Sequence, residues 1–428
     1  MKIKYLFILF FFSVTAVYSQ SVNLRLSTQF YSWERADSIG GSEKTAHFKG
    51  YQNMLLEVSG SKWSFNTMAQ IDEDLVNKIG RGFEYRFYNF YLKGSNLFDV
   101  MDLKLGRQYL YTGVGRGAID GLYLKIKAGK NKEYQFTAYG GALTPLDYTF
   151  RDYKSLDENF LAGGMFQYYG VRDFNASLSY TNKHKKPESY TAIRFDSAFM
   201  AQEVLIDTDS PADQLIGVDL NYLYEKKHNF FAKAYYDINN KVFYRGEINA
   251  SLALTNELRF SAMYEYREPQ ISYNTIFRTF NFRQNQELGA GIDYTFKNGV
   301  NAFGRISDVI YDDDNSLKFQ LGINHPSYGL SYTKYTGYAG ESDGAYGYYY
   351  RQLVKEKLSA NAGLGFSRYR ISEYSSDKED VLSGLLGLTF RPNPQFSIDV
   401  QGQINTNRIY KYDTRLLVGI NYWLFKKF

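Results

Sequence analysis

The strongest constraint on the fold is an alternation of apolar and polar residues with a period of two. Residues 258–265 read Leu-Arg-Phe-Ser-Ala-Met-Tyr-Glu, and residues 287–297 read Glu-Leu-Gly-Ala-Gly-Ile-Asp-Tyr-Thr-Phe-Lys. Similar segments recur from residue 22 to the C-terminal end. Successive side chains of a β-strand point to opposite faces, so this pattern is typical of strands with one apolar and one polar face. The sequence therefore predicts an all-β fold.

The length of these segments separates two kinds of β protein. They run for roughly ten to fourteen residues, whereas strands of soluble proteins average about five or six. A tilted strand that crosses a membrane needs about nine to eleven residues. This favours a single transmembrane, antiparallel, up-and-down β-barrel. The alternative is a soluble sandwich or propeller, in which the apolar faces pack on a second sheet.

The connections between the segments alternate in length, as in barrels whose short turns face the periplasm and whose long loops face outside. Short turns are predicted at Ser59–Lys62, Gly170–Asp173, Lys226–Asn229, Asn256–Glu257, Lys297–Gly299, Pro326–Tyr328, Lys355–Lys357 and Pro392–Pro394. Longer, more polar loops are predicted at Arg35–Thr45, Thr144–Asn159, Lys183–Asp213, Glu268–Asn285, Gly337–Gly344 and Ser372–Asp380.

Composition supports the barrel over a helical membrane protein. The mean hydropathy is −0.42, which is too low for a bundle of membrane helices. Yet the chain contains 41 Tyr and 33 Phe, and barrels concentrate aromatic residues at the two membrane interfaces. There is no Cys, which fits passage through an oxidising periplasm and excludes thiol chemistry.

Counting the alternating segments predicts about 22 strands, with a range of roughly 18 to 24. The range reflects weakly alternating segments such as Ser189–Phe199 and Phe98–Tyr111. We expect an even number, because the first strand follows the N-terminal leader and the last ends at the C-terminus. The same placement leaves no room for a plug domain before the first strand.

Residues 1–19 are predicted to be a cleaved signal peptide, so that residues 20–428 form the barrel. Lys2 and Lys4 precede an apolar stretch from Leu6 to Val14, which is too short to span a membrane as a helix. Val17 and Ser19 are the small residues expected before a cleavage site. An uncleaved N-terminal anchor is the alternative.

The C-terminal segment resembles the insertion signal of outer-membrane barrels. Leu416, Val418, Ile420, Tyr422 and Leu424 share one face, and the chain ends with Phe428 in the same phase. Lys426 departs from that pattern. The resemblance implies that the barrel-insertion machinery recognises the strand that ends at Phe428, and that the partners of this chain include outer-membrane lipids.

A second resemblance is local. Leu103-Lys104-Leu105-Gly106-Arg107-Gln108 followed by Asp120-Gly121-Leu122-Tyr123-Leu124 resembles the strand–loop–strand element of porins and alginate-export-type barrels. It implies a diffusion channel or a substrate-selective channel, and it does not identify the solute. The mixed charge of the predicted lumen disfavours alginate-like polyanions as cargo.

The polar faces of the strands would line the lumen. Arg107 and Asp120 are the strongest candidates for a constriction, because Gly106 and the glycines at 113, 115 and 117 would let the intervening loop fold inward. A cross-strand ion pair between Glu247 and Arg259 is also expected. The remaining channel-lining candidates are Lys104, Lys125, Arg245, Glu265, Asp293 and Arg305. The alternative is that these are solvated wall residues that satisfy the alternation.

Signals of other chemistry are weak. The four histidines, His47, His184, His228 and His325, have no convincing Ser or carboxylate partner in the sequence, and only His47 is a candidate at an extracellular rim. The acidic loops 207–213 and 312–314 lack the spacing of an EF-hand. We therefore predict no cofactor and no metal site. The formal net charge of +5 is too small to indicate nucleic-acid binding.

The function favoured by the sequence is that of a non-enzymatic, porin-like channel in the outer membrane for small hydrophilic solutes or oligosaccharides. One alternative is a non-conducting interaction barrel, such as an adhesin or a secretion or surface-assembly component. A lesser alternative is an outer-membrane hydrolase. The solute, the oligomeric state and any protein partner are left open, including a homo-oligomer.

Overall fold

The computed structural model describes residues 20–37, 45–76, 82–209, 212–270, 284–311, 314–337, 340–370 and 377–428. The predicted signal peptide lies outside these residues. The described chain contains the following strands, numbered in chain order: β1 Ser21–Asp37, β2 Thr45–Ser59, β3 Trp63–Val76, β4 Glu84–Leu97, β5 Met101–Thr112, β6 Gly115–Ala128, β7 Tyr134–Leu143, β8 Asn159–Tyr168, β9 Phe174–Lys185, β10 Tyr190–Phe195, β11 Ala201–Ile206, β12 Asp213–Tyr224, β13 His228–Asp237, β14 Val242–Ala253, β15 Leu258–Arg267, β16 Asn285–Thr295, β17 Asn301–Tyr311, β18 Asp314–His325, β19 Tyr328–Gly337, β20 Glu341–Val354, β21 Leu358–Arg370, β22 Glu379–Asn393, β23 Phe396–Thr406 and β24 Tyr410–Lys427.

All strands except β10 and β11 form one closed, antiparallel sheet of 22 strands. Strands that are consecutive in the chain are neighbours in the sheet, and β1 pairs with both β2 and β24. The predicted all-β, up-and-down barrel with an even number of strands is therefore confirmed. Closure removes the free strand edges that would otherwise leave backbone groups without hydrogen-bond partners.

The two weak segments have different fates. Ser189–Phe199 contributes β10, which pairs only with β11 in a separate hairpin between β9 and β12, so it is not part of the barrel wall. Phe98–Tyr111 contributes β5, which belongs to the barrel sheet. Its alternation is weak because only part of β5 stays in the wall, as described below.

The two faces of the sheet differ as the alternation predicts. Apolar residues of the outer face remain largely exposed, for example Leu288 at 60% and Leu386 at 70%. Polar residues of the inner face are hydrogen-bonded to one another. Where the barrel closes, the Ser27 hydroxyl donates to Asn421 Oδ1 at 2.7 Å, and Asn421 Nδ2 donates to Asp399 at 2.7 Å. The outer wall is thus suited to lipid and the inner wall to water.

The start of β1, the end of β24 and the tight turns lie at one end of the barrel, since Ser21 pairs with both Ser59 and Lys427. The strand bounds place every predicted short turn at this end, together with two further turns at 98–100 and 129–133. The connections at the opposite end vary more in length. The predicted loop Gly337–Gly344 is shorter than expected, because β20 already begins at Glu341. No helix among the described residues is long and apolar enough to span a membrane.

Candidate functional site

The β5–β6 hairpin leaves the barrel wall halfway along its length. Pairing between β4 and β5 ends at Phe90 and Arg107, although β4 itself continues to Glu84. Gly106, beside this point, has a φ of 120°, and a Cβ there would lie 2.3 Å from the Phe90 carbonyl oxygen. Only glycine fits such a position without strain. Beyond it, β5 pairs with β6 alone.

The tip of the hairpin is bound to the inner wall several strands away. The Val114 amide donates to Ser179 Oγ on β9 at 3.1 Å. The Val114 side chain packs in a buried cluster with Leu215 of β12 and Tyr235 of β13. Ser179 and Leu215 lie on the inner faces of their strands, so the hairpin crosses the inside of the barrel past β7 and β8. The predicted inward course of this Gly-rich segment therefore appears in the structure.

One face of the hairpin packs against the inner wall. Leu110 and Ile119 form a buried cluster with Tyr139, Leu143 and Leu161 of β7 and β8. Complete burial of a large aliphatic side chain contributes about 1.5–3 kcal/mol, so these contacts anchor the hairpin firmly. The cluster gives a barrel with a water-facing inner wall a small apolar core on one side.

The other face of the hairpin points away from the wall, towards the lumen. Tyr109 and Tyr111 are 56% and 69% exposed there. The Arg116 guanidinium lies 4.7 Å from the centre of the Tyr111 ring and donates to its hydroxyl at 3.2 Å. Sequence reasoning did not single out these three residues. The sequence does show that Tyr109 and Tyr111 alternate with Leu110 and so lie on the opposite face of the strand. It does not show which of the two faces is turned to the lumen once the hairpin has left the wall.

The loop between β7 and β8 occupies the wall position that the hairpin vacates. The Phe87 amide of β4 donates to the Tyr148 carbonyl at 3.0 Å, in place of a bond to β5. Phe150 from the same loop packs against Phe87 and Phe90, with ring centres 5.1 and 5.7 Å away. The loop thus provides hydrogen-bond partners for backbone groups at the edge of β4. Inside a membrane no water is available to replace them.

Arg107 and Asp120 are cross-strand partners at the base of the hairpin. They form a bidentate ion pair with both N···O distances at 2.9 Å. Arg107 also donates to the carbonyl oxygens of Phe87, Tyr148 and Thr149, and its guanidinium lies 4.1 Å from the centre of the Phe150 ring. One side chain therefore connects the hairpin, β4 and the loop.

The expectation that Arg107 lines the channel needs correction, because its side chain is fully buried between the hairpin and the loop. Asp120 is one-fifth exposed and accepts a hydrogen bond from the Tyr153 hydroxyl at 2.7 Å. Burial, followed by the Asp120 carboxylate, raises the pKa of Tyr153 to about 12, so this hydroxyl stays protonated. The role of the pair is to stabilise the crease of the hairpin, which is the point at Gly106 and Arg107 where the hairpin bends away from the wall.

A second group of predicted residues forms an ion-pair network on the inner wall. Arg245 lies 3.2 Å from Glu247 and 2.7 Å from Glu265. Glu265 also pairs with Arg267 at 2.5 Å, and Glu247 with Lys233 at 3.3 Å. The structure thus brings Arg245, Glu247 and Glu265 together on β14 and β15, with charges that largely compensate one another.

The predicted pair between Glu247 and Arg259 is wrong. Glu247 lies opposite Glu265 in the register of β14 and β15, six residues from Arg259 along the strand. Arg259 lies opposite Asp293 on β16 and donates to Ser251 Oγ at 2.9 Å. Asp293 pairs with Arg305 of β17 at 3.5 Å. The error arose because the register of a hairpin depends on its turn, which the sequence pattern leaves open.

Lys104 and Lys125 lie on the inner faces of β5 and β6, in a different part of the ring. The Lys104 ammonium lies 5.4 and 5.1 Å from the ring centres of Tyr91 and Tyr123. Both lysines are on the part of the hairpin that stays in the wall, between its crease and the tight-turn end. The predicted lumen residues therefore do not form one site but belong to several groups around the ring.

The histidines lie near strand ends, apart from one another. His47 stacks on Trp33, with ring centres 4.8 Å apart, and His184 Nε2 is 3.0 Å from Asp209. His325 accepts a hydrogen bond from the Ser327 amide. Within the described residues, no three His, Asp or Glu side chains are grouped as metal ligands would be. Part of loop 207–213 and residues 312–313 lie outside the described chain.

A closed 22-stranded sheet with an apolar outer wall and a polar inner wall defines a porin-like transmembrane β-barrel. No protein-family model matches the chain, and no curated protein matches it. A chain of the E. coli P pilus tip assembly intermediate PapC-PapD-PapK-PapG shares the barrel fold, with a TM-score of 0.53 and 8% identity over 93% of this chain and 60% of that one.

Two further solved structures match at lower similarity. The P pilus usher (PapC) translocation pore has a TM-score of 0.49 at 9% identity, with 93% of this chain and 99% of that chain covered. Acinetobacter baumannii OccAB4 has a TM-score of 0.47 at 8% identity, with 95% and 99% covered.

Proposed function

We propose that this protein is a diffusion channel of the outer membrane for small hydrophilic solutes, narrowed by the inward-folded β5–β6 hairpin. The observation that carries the proposal is the docking of Val114 on the inner wall, which places a folded element inside a barrel whose wall is otherwise polar. Tyr109, Tyr111 and Arg116 would then form one side of the narrowest passage. A channel needs this combination of a hydrated wall and a defined constriction.

The proposal extends to the location of the chain. Residues 1–19 are removed on export, the strand that ends at Phe428 is read by the insertion machinery, and the tight-turn end faces the periplasm. In this orientation the hairpin enters the lumen from the extracellular side. The exposed apolar outer wall supports membrane insertion, because such a wall would be unfavourable in water.

The test is single-channel conductance of residues 20–428 in planar bilayers. The wild type should open stepwise and pass small sugars. Val114→Asp places a charge in the apolar cluster that holds the hairpin tip, so it should release the hairpin and raise the conductance. Val114→Leu keeps the contact apolar and is the matched control. A silent wild-type barrel, or equal conductance of the two variants, would contradict the proposal.

A second candidate function is favoured by the β10–β11 hairpin, which projects from the loop between β9 and β12. Ile193, Phe195, Phe199 and Leu205 are between 66% and 84% exposed on it. Exposed apolar clusters of this kind often serve as contact surfaces. If the barrel proves to be silent in bilayers, a non-conducting interaction barrel that uses this hairpin becomes the better explanation.

A further inference from the structure

Three lysines on the inner wall form a cluster of like charges. Lys93 of β4 lies directly opposite Lys104 of β5. On the other side, Lys104 pairs with Tyr123 of β6, and Lys125 is the next residue of β6 on the same face, diagonal to Lys104. All three point to the inner face of their strands. Like charges that face each other across a strand pair are destabilising, so such a cluster is unfavourable unless an anion is present.

No carboxylate of the described residues forms a direct ion pair with the three lysines. Asp102, the cross-strand partner of Lys125, is engaged by Lys127 at 2.7 Å and by the Asn96 amide at 2.8 Å. Glu57 faces the same lumen from β2, but the whole of β3 separates it from Lys93. Among the described residues, Lys93, Lys104 and Lys125 have no carboxylate within 4.0 Å.

The contrast with the network on β14 and β15 is informative. There, Arg245 and Lys233 each lie within 3.3 Å of a glutamate oxygen. The same barrel therefore compensates the charges of one inner cluster and leaves those of the other open. Charges left open on one part of a wall set a local positive potential that attracts anions.

The environment of Lys104 adds to this potential. Its ammonium lies 5.4 and 5.1 Å from the ring centres of Tyr91 and Tyr123, and the side chain is only partly exposed. Flanking rings hold a lysine stem in place and reduce the water around its charge. An ammonium with fewer water contacts forms stronger hydrogen bonds to an incoming anion.

The cluster also lies where a solute would pass. Gly106, at the crease of the inward-folded hairpin, is two residues from Lys104. The tight turn 98–100 is four residues from Lys104 on the other side. In the proposed orientation, a solute that passes the hairpin reaches the lysines before it leaves through the periplasmic mouth.

We propose that Lys93, Lys104 and Lys125 form a binding site for an oxyanion, namely the carboxylate or phosphate group of a small solute. Binding itself does not depend on conduction. The role of the site in permeation rests on the proposed channel function, and it makes small anionic solutes the preferred cargo. Bound oxyanion would accept hydrogen bonds from the ammonium groups and remove their mutual repulsion.

The test is calorimetric titration of the detergent-solubilised protein, residues 20–428, with inorganic phosphate and separately with acetate at low salt. Each of Lys93→Gln, Lys104→Gln and Lys125→Gln should weaken binding by about tenfold, the loss of one charge-assisted hydrogen bond. Lys318→Gln is the matched control, because Lys318 is also an inner-wall lysine beside a tyrosine ring, 5.7 Å from the centre of Tyr335. The control should bind as the wild type does.

The relative strength of phosphate and acetate binding identifies which oxyanion group the site prefers. The triple variant combines Lys93→Gln, Lys104→Gln and Lys125→Gln. The proposal would be overturned if the wild type bound neither anion, or if the triple variant bound them as the wild type does. Thermal unfolding provides a second readout. Without anion, the triple variant should unfold at the same or a higher temperature than the wild type, because repulsion has been removed. A lower unfolding temperature would indicate that the lysines stabilise the wall instead, which contradicts the proposal.

Bilayer measurements separate this site from the channel itself. A barrel that binds phosphate but passes no current would disprove the channel and leave the site intact. A barrel that conducts without anion preference and binds neither probe would disprove the site and leave the channel intact. In the expected result, the wild type prefers anions, and this preference falls in the triple variant but not in Lys318→Gln.

Discussion

Arg107 is held by many contacts, because its guanidinium joins three separate segments of the barrel. Its ion pair with Asp120 fixes the hairpin, and its bonds to Tyr148 and Thr149 fix the loop that fills the wall. A buried arginine that serves so many acceptors has a structural role, because each acceptor would lose its partner together with the charge.

We expect Arg107→Met to destabilise the barrel by about 3 kcal/mol or more, because Asp120 would be left as a poorly solvated charge without its partner. The measurement is equilibrium unfolding in urea, in lipid vesicles, followed by tryptophan fluorescence. Arg116→Met, on the exposed face of the same hairpin, should cost less than about 1 kcal/mol. Equal losses in the two variants would argue against the proposed role of Arg107.

Tyr153 gives the base of the hairpin a dependence on alkaline pH. Its pKa is raised from an ordinary 10.0 to about 12, so the folded state holds the phenolic proton more tightly than the unfolded chain does. The resulting stabilisation is complete below pH 10 and is lost as the pH rises towards 12. The difference in unfolding temperature between the wild type and Tyr153→Phe should therefore shrink over that interval. A difference between the wild type and Tyr153→Phe that stays constant over this pH interval would refute the assignment.

At the scale of elements, the position of the β5–β6 hairpin and that of the β7–β8 loop are linked. The half of the β5–β6 hairpin next to its tip lies in the lumen and not in the wall. The β7–β8 loop instead forms the hydrogen bonds with β4. Neither arrangement is favourable alone, because an open edge of β4 within a membrane would leave backbone groups without partners. The two arrangements therefore depend on each other.

The position of the hairpin tip can be tested by cross-linking. The Val114 amide nitrogen lies 3.1 Å from Ser179 Oγ, so cysteines at these two positions are close enough for a short thiol-reactive cross-linker to join them. The native chain has no Cys to interfere. Treatment of Val114→Cys/Ser179→Cys with such a reagent in membranes should give an intramolecular cross-link detected by mass spectrometry. Val114→Cys/Gly402→Cys is the control, and cross-linking in this pair alone would disprove the inward position.

At the scale of the whole molecule, the apolar surface faces outward. Outer-face residues on many strands are exposed, including Leu364 at 69% and Ile306 at 53%. A soluble protein would bury such a surface, which here forms a continuous belt around the closed sheet. The free energy of folding therefore depends on lipid or detergent around the belt.

We expect the purified barrel, residues 20–428, to remain monodisperse in detergent micelles and to aggregate when the detergent is removed. Size-exclusion chromatography before and after removal provides the measurement. A folded, monodisperse protein in plain buffer would contradict the assignment of the outer wall to lipid.

Much of the architecture was accessible from the sequence, because it depends on local patterns. The alternation in segments such as 258–265 predicted the two faces, and the turn residues predicted the tight-turn end. The site was only partly accessible. Arg107 and Asp120 were each singled out as candidates for a constriction, but the burial of Arg107 depends on Tyr148, Thr149 and Tyr153, which come from a loop whose course no local pattern indicates.

The amino-acid sequence by itself determined that the chain is a large β-barrel with lipid outside and water inside, since period-two alternation requires two different environments for the two faces of each strand. Only the tertiary structure decided that part of β5 and β6 leaves the wall, that Arg107 is buried while Tyr111 and Arg116 face the lumen, and that Glu247 meets Arg245 and not Arg259. These outcomes depend on the register of the strands and on contacts between segments far apart in the chain, which a local pattern cannot specify.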